Sequence, residues 1–237
     1  MNAFLLASGL GTRLRPITYT IPKCLVKINN IPLLKIWIDK LLNLDINNIY
    51  INSFYLSDMV NKFIIDEYSN SKIILLNESK LLGTAGSLID NIELFKNDDL
   101  LLIHADNFTT DDLKIYLKSF YEIKFPYELL LMTFFSKDVT NVGIVTTDSN
   151  NKIIRFEEKN PDAEPGNANA GIYCIKKSFL NEISSGYEDS YDFVTDILLK
   201  NLDKCEAYNT KSFFIDIGNV DNLKKAQDFM ASSRKFF

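Results

Sequence analysis

At 237 residues, 46% hydrophobic and 24% charged, the chain can bury one sizeable core, and no run approaches the roughly eighteen apolar residues that a membrane span needs. The net charge is −5 and no basic face is visible, so a small molecule held in a pocket is the expected partner, with no nucleic acid and no membrane. Cys24, Cys174 and Cys205 are odd in number, far apart and without metal-ligand spacing, which fits buried thiols and a cytoplasmic location.

The first seven residues lack a basic n-region, and Ala3 to Ala7 reads as a buried strand rather than as part of a signal peptide. Leu34, Trp37, Ile38 and Leu41 follow helical spacing, and Ile49 to Asn52 is the next apolar run. Met59, Val60, Phe63 and Ile64 mark a second helix, which Ser57 would cap. Ile73 to Leu76, Leu100 to His104 and Leu129 to Phe134 are further strands, and Thr110-Asp111-Asp112 opens a helix between the last two. This alternation predicts an α/β fold: a Rossmann-like, mixed but mostly parallel sheet flanked by helices.

The second half changes character. Val142 to Thr146 and Ile153 to Glu157 flank the polar turn Asp148-Ser149-Asn150-Asn151 and predict a hairpin. Asn169 to Ile175 reads as a strand, Asp192 to Leu202 as a helix, and Ser212 to Asp216 as a late strand. Val220, Leu223, Ala226 and Met230 mark a C-terminal helix. With no linker or internal repeat, a single domain over 1–237 is expected.

The most informative stretch runs from Leu5 to Pro16, followed by Pro22-Lys23. A strand ends, and Gly9 and Gly11 let the backbone fold closely around an anion, with Leu6, Ala7, Ser8 and Thr12 completing the cradle. Arg13 and Lys23 add the positive charge that a triphosphate requires. Leu14 stands where a dinucleotide fingerprint wants its third glycine, and the Gly-Lys-Ser/Thr end of a Walker loop is absent. A turn that merely links strand to helix is the plainer alternative.

Gly9-Leu10-Gly11-Thr12-Arg13-Leu14-Arg15-Pro16, together with Pro22-Lys23-Cys24-Leu25-Val26, resembles the signature of the sugar-1-phosphate nucleotidyltransferases, with Ser8 where that family usually has Ala or Gly. The resemblance continues in order along nearly the whole chain. It implies a GT-A-like fold with a nucleotide-binding half over 1–125 and a sugar-phosphate-binding half over 126–237. Leu82 to Ser87 is similar to the segment that lies against the nucleoside, which makes Gly83 and Thr84 nucleotide contacts. Asn77 stands where the family's base-reading residue tends to lie, although a strand-end turn role is open to it as well.

Asp106, in His104-Ala105-Asp106-Asn107, matches the family's magnesium-binding Asp, and Asp216, in Phe214-Ile215-Asp216-Ile217-Gly218, matches the second. For Asp106 the bland alternative is a helix-capping carboxylate. Mg²⁺ keeps waters and takes its other ligands from phosphates, so two carboxylates suffice. The implied reaction is in-line attack of a sugar phosphate oxygen on the α-phosphorus, with Arg13, Lys23 and Asp106 catalytic and no side-chain nucleophile needed. Glu158-Lys159 and Asn169-Ala170-Gly171-Ile172-Tyr173 look like the sugar-phosphate segments: Glu158 for hydroxyls, Lys159 for the phosphate, and Asn169 and Gly171 against the ring.

The expected partners are therefore a nucleoside triphosphate and a sugar 1-phosphate, and a homodimer is compatible with them. The spelling looks closest to the mannose-1-phosphate and heptose-1-phosphate guanylyltransferase branch, which favours GTP and a role in capsule or lipopolysaccharide biosynthesis. A cytidylyltransferase acting on a phosphocholine-like acceptor and a non-catalytic nucleotide-sensing subunit are the alternatives.

Overall fold

The computed structural model describes residues 1–69, 72–187 and 191–232. In chain order the strands are β1 (Asn2–Leu6), β2 (Lys27–Ile28), β3 (Ile31–Pro32), β4 (Ile49–Ser53), β5 (Ile73–Asn77), β6 (Leu100–His104), β7 (Asn107–Thr109), β8 (Leu129–Ser136), β9 (Gly143–Thr147), β10 (Ile153–Glu158), β11 (Gly166–Ile175), β12 (Cys205–Asn209) and β13 (Phe214–Asp216). The helices are α1 (Leu33–Leu42), α2 (Ser57–Glu67), α3 (Gly83–Asp90), α4 (Ile92–Phe95), α5 (Leu113–Glu122), α6 (Lys177–Ile183) and α7 (Val220–Ser232). Among the described residues, no helix is long and apolar enough to cross a membrane.

The chain forms two compact units. The first comprises Ala3–Leu81, His104–Thr110 and Phe214–Phe237, so its last segment returns from the far end of the sequence. Here β1, β4 and β5 pair in parallel, with Ala3 opposite Ile49 and Ile49 opposite Ile73. Parallel strands covered on both faces read as continuous apolar runs, and β4 is buried at all five positions. Helix α1 turns Leu34, Trp37, Ile38 and Leu41 inward, and the Trp37 indole donates to the Asn107 carbonyl at 2.7 Å. A two-stranded antiparallel ribbon of β7 and β13 sets Asp216 opposite Asn107, the neighbour of Asp106. Helix α2 begins at Ser57 itself. Leu56 precedes it in the left-handed region and no side chain caps the end, so the capping expected of Ser57 is not made.

The second unit comprises Met1–Asn2, Leu82–Ile103 and Asp111–Phe213. Strand β11 is its spine, antiparallel to β6, β8 and β9, while β12 joins β8 in parallel. Strands β9 and β10 form the expected hairpin. Helix α5 opens on Asp112, whose carboxylate accepts from the Lys114 N–H at 2.9 Å. Its buried Tyr116 donates to the Leu130 carbonyl at 2.6 Å and accepts from the Cys174 N–H at 3.2 Å, tying helix to sheet. All three cysteines are buried and unpaired, as the sequence suggested.

The stretch expected to form a regular helix from Asp192 to Leu202 does not do so. A π turn at Phe193–Ile197 runs into a 3-10 segment at Leu198–Lys204, and Asn201 leaves helical geometry. The Asn201 amide donates both to the Ile197 carbonyl and to the Tyr187 hydroxyl, each at 2.8 Å, which competes with regular backbone pairing.

Candidate active site

In the first unit the glycine-containing loop leaves the end of β1. The Leu6 carbonyl accepts from the Ala105 N–H at 3.0 Å, and the Ala7 N–H donates to the Asn52 carboxamide at 2.6 Å. Gly11 has φ +62°, and a Cβ there would lie 2.9 Å from Thr18 Cγ2 and 3.1 Å from Lys23 Cβ. Thr18 also donates to the Gly11 carbonyl at 2.7 Å, so the loop is fastened to the segment that carries Lys23. At Gly9, by contrast, no atom lies within 4 Å of where a Cβ would stand. A short turn at Thr12–Leu14 buries Leu14 and leaves the Arg13 side chain 59% exposed.

Arg13, Lys23, Asp106 and Asp216 converge. The nearly buried Lys23 ammonium lies 2.5 Å from Asp106 Oδ2 and 3.6 Å from Asp216 Oδ1, and the Arg13 guanidinium lies 3.8 Å from Asp216 Oδ2. Ile217 N–H donates to the Asp106 carbonyl, which holds the two acidic segments side by side. Gly218 keeps the corner tight, since a Cβ there would stand 2.6 Å from Asp216 Oδ2 and 3.0 Å from the Arg13 side chain.

The protonation equilibria follow from this crowding. Burial disfavours the Asp106 carboxylate, but the Lys23 ammonium and neighbouring His104 outweigh burial and hold its pKa below the ordinary value. Burial and repulsion from Asp106 push Asp216 upward, beyond what Lys23 and Arg13 offset. Burial likewise opposes the charge on Lys23, yet the two carboxylates raise its pKa.

Among the described residues, Asp216 Oδ1 has no hydrogen-bond partner although it is buried, and it lies next to a carboxylate that repels it. That pairing suits a divalent cation. Among the described residues, no three His, Cys, Asp or Glu side chains gather to hold a metal by themselves. An ion here would draw its remaining ligands from water and substrate oxygens.

Beside the loop, the carboxyl ends of β4 and β5 carry a polar network in which only Asn77 was singled out from sequence. Ser53 donates to the Asn77 side-chain carbonyl at 2.8 Å, and Asn52 donates to Ser8 Oγ at 3.2 Å and Glu78 Oε1 at 2.7 Å. Sequence reasoning missed Asn52, Ser53 and Glu78. The available signal was a polar pair ending an otherwise apolar strand.

In the second unit Gly83 opens α3 with φ +77°, and a Cβ there would meet the Tyr191 carbonyl at 2.3 Å. The Ala85 N–H donates to that same carbonyl at 2.9 Å, and Thr84 Oγ1 accepts from the Phe193 N–H at 2.8 Å. These residues thus pack on Tyr191 to Phe193. Glu158 and Lys159 pair at 3.0 Å, with Lys159 in the left-handed region. Gly143 lies beneath them, where a Cβ would stand 2.5 Å from Glu158 Oε2. Gly171, at φ +64°, makes a bulge in β11 that turns the strand. Asn169 holds that bulge, accepting from the Gly171 N–H and donating to the Tyr173 hydroxyl, each at 2.9 Å.

The comparisons with known proteins run along nearly the whole chain. It is 31% identical to D-glycero-alpha-D-manno-heptose 1-phosphate guanylyltransferase of Campylobacter jejuni, over 92% of this chain and 95% of that protein. It is 30% identical to UTP--glucose-1-phosphate uridylyltransferase of Synechocystis sp. over 95% of its length, which spans only 62% of that relative. The crystal structure of HddC from Yersinia pseudotuberculosis complexed with GMP-PN superposes with a TM-score of 0.79 at 26% identity, covering 97% of this chain and 99% of that one. The family described as Nucleotidyl transferase matches residues 2–233, and with glycine loop, cations and paired carboxylates falling inside that span, the chain belongs to the nucleotidyl transferase family.

Proposed function

We propose that the protein transfers guanylate from GTP to a sugar 1-phosphate, releasing pyrophosphate and forming a GDP-sugar for cell-surface polysaccharide synthesis. The observation that carries the choice of base is the Asn77-Glu78 pair at the end of β5. With the Asn77 side-chain carbonyl accepting from Ser53, its Nδ2 would be the group that donates to a base. Asn52 donates to Glu78 Oε1 at 2.7 Å, and a carboxylate oxygen can accept more than one hydrogen bond. One donor beside a carboxylate complements guanine, whose edge offers an acceptor at O6 and donors at N1 and N2. Uracil, thymine and cytosine do not present two adjacent donors. Ligands of open α/β sheets collect at the carboxyl ends of strands, where this pair lies. The Campylobacter relative is named as a guanylyltransferase, and the Yersinia structure is titled as a complex with GMP-PN, which supports the same reading.

The chain's part in the chemistry is grip and charge neutralisation. Backbone N–H groups of the loop from Ser8 to Thr12 receive phosphate oxygens, and Arg13 and Lys23 offset their charge. An oxygen of the sugar phosphate, already anionic near neutral pH, attacks the α-phosphorus in line as the bond to the β-phosphate oxygen breaks. Lys159 holds the acceptor's phosphate, Glu158 takes sugar hydroxyls, and Asn169 with the Gly171 bulge borders the ring. Nucleotidyltransferases of this family generally use divalent metal ions. Asp106 and Asp216 would hold Mg²⁺, which supplies charge stabilisation for the transferring phosphate.

The test is kcat/KM for GTP, UTP, CTP and dTTP with a panel of sugar 1-phosphates and coupled pyrophosphatase. A base that leaves the polar groups of this pair unmatched gives up about 1–3 kcal/mol of hydrogen bonding once the site is covered by nucleotide, so GTP should lead by roughly tenfold or more. A lead for any pyrimidine nucleotide would overturn the assignment of base.

A further inference from the structure

Asn52 has no exposed surface. A carboxamide enclosed in this way is costly unless its donors and acceptor are matched. It divides them between two segments far apart in sequence. Its Oδ1 accepts from the Ala7 N–H at 2.6 Å, and its Nδ2 donates to Ser8 Oγ at 3.2 Å and to Glu78 Oε1 at 2.7 Å. Ala7 and Ser8 open the glycine loop, while Glu78 follows the neighbouring strand.

We propose that Asn52 is a positioning residue for base selection: it locks the phosphate loop and the Glu78 carboxylate into one frame, so that a nucleotide seated in the loop meets a carboxylate fixed at the right place. The proposal rests on the reading of Asn77 and Glu78 as the guanine-recognising pair. An amide suits the task because it accepts on one side and donates on the other. Aspartate has the same shape and would still accept from Ala7, but it would repel Glu78 instead of holding it. Serine is too short to span both segments.

The backbone N–H of Ala7 has a further consequence. Spent on Asn52, it is withdrawn from phosphate binding, which leaves the N–H groups from Ser8 onward as the cradle. Asn52 therefore sets where the anion site begins as well as where the base-reading group stands.

The experiment compares kcat/KM for GTP and inosine triphosphate, which keeps the N1 donor and O6 but lacks the 2-amino group. It uses the wild-type enzyme, Asn52→Asp, Asn52→Ser and Glu78→Gln. We expect the wild type to prefer GTP by roughly tenfold or more and both Asn52 variants to lose most of that ratio, with KM for the sugar 1-phosphate unchanged. A purely structural role would lower both nucleotides by the same factor and preserve the ratio. That result in whichever Asn52 variant folds would overturn the proposal while leaving the base assignment standing. A wild-type ratio near one, unmoved by Glu78→Gln, would overturn the base reading and the proposal with it.

Discussion

Replacing Lys23 by methionine keeps most of the aliphatic volume and removes the positive charge that bridges Asp106 and Asp216. The ammonium lies 2.5 Å from one carboxylate and 3.6 Å from the other, and its side chain is only 10% exposed. Removing one partner of a buried pair costs about 3–5 kcal/mol. The carboxylates here are 34% and 39% exposed, so water screens them and the loss falls to about 1–2 kcal/mol. For a chain of this size, 1 kcal/mol moves Tm by roughly 2–4 °C, which gives a drop of roughly 2–8 °C in chelator. Thermal melts with EDTA and with millimolar Mg²⁺ or Mn²⁺ check this. Divalent cation should recover more Tm in Lys23→Met than in the wild type, because the two carboxylates have lost the ammonium that competes for them. A variant that melts at or above the wild type in EDTA, or that gains nothing from metal, would refute the reasoning.

Other consequences are more direct. Asp106→Asn and Asp216→Asn should each lower kcat by roughly 10²–10³ while the protein stays folded, checked by turnover beside circular dichroism. Lys159→Ala should raise KM for the sugar 1-phosphate more than for GTP, and an equal effect on both substrates would contradict its placement. The two loop glycines should behave differently. Gly11→Ala, forced to φ +62° and into Thr18, should lose about 1–3 kcal/mol of stability. Gly9→Ala meets open space and should stay within about 0.5 kcal/mol of wild type while weakening GTP binding, measured by calorimetry.

The parallel strands were legible because residues buried on both faces make unbroken apolar runs, as in Ile49 to Ile51 of β4, a strand buried at all five positions. The hairpin of β9 and β10 announced itself through Asp148 to Asn151, where the Asp148 carboxylate accepts from the N–H groups of Asn150 and Lys152. Strand β12 was invisible: Cys-Glu-Ala-Tyr-Asn carries little strand preference, and the segment is specified by pairing with β8. The break at Asn201 has the same origin, since its partner Tyr187 is distant in sequence.

The candidate site divides along a similar line. Arg13, Lys23, Asp106 and Asp216 could be named because their types and order carry a family resemblance, and they converge within one unit. Asn52, Ser53 and Glu78 were not named, because polar residues at a strand end look like any turn residues. Only burial and the partners of the Asn52 amide distinguish it. Asn77 was named by position alone, and the structure adds that its side-chain carbonyl accepts from Ser53.

The most direct test of the account uses a sugar 1-phosphate labelled with ¹⁸O in its phosphate, incubated with GTP, Mg²⁺ and the purified enzyme, with products read by mass spectrometry. The account predicts a GDP-sugar that retains the labelled oxygens, one pyrophosphate per product, and no GTP consumption without acceptor. GTP cleavage that ignores the sugar phosphate, or a product without the label, would contradict it.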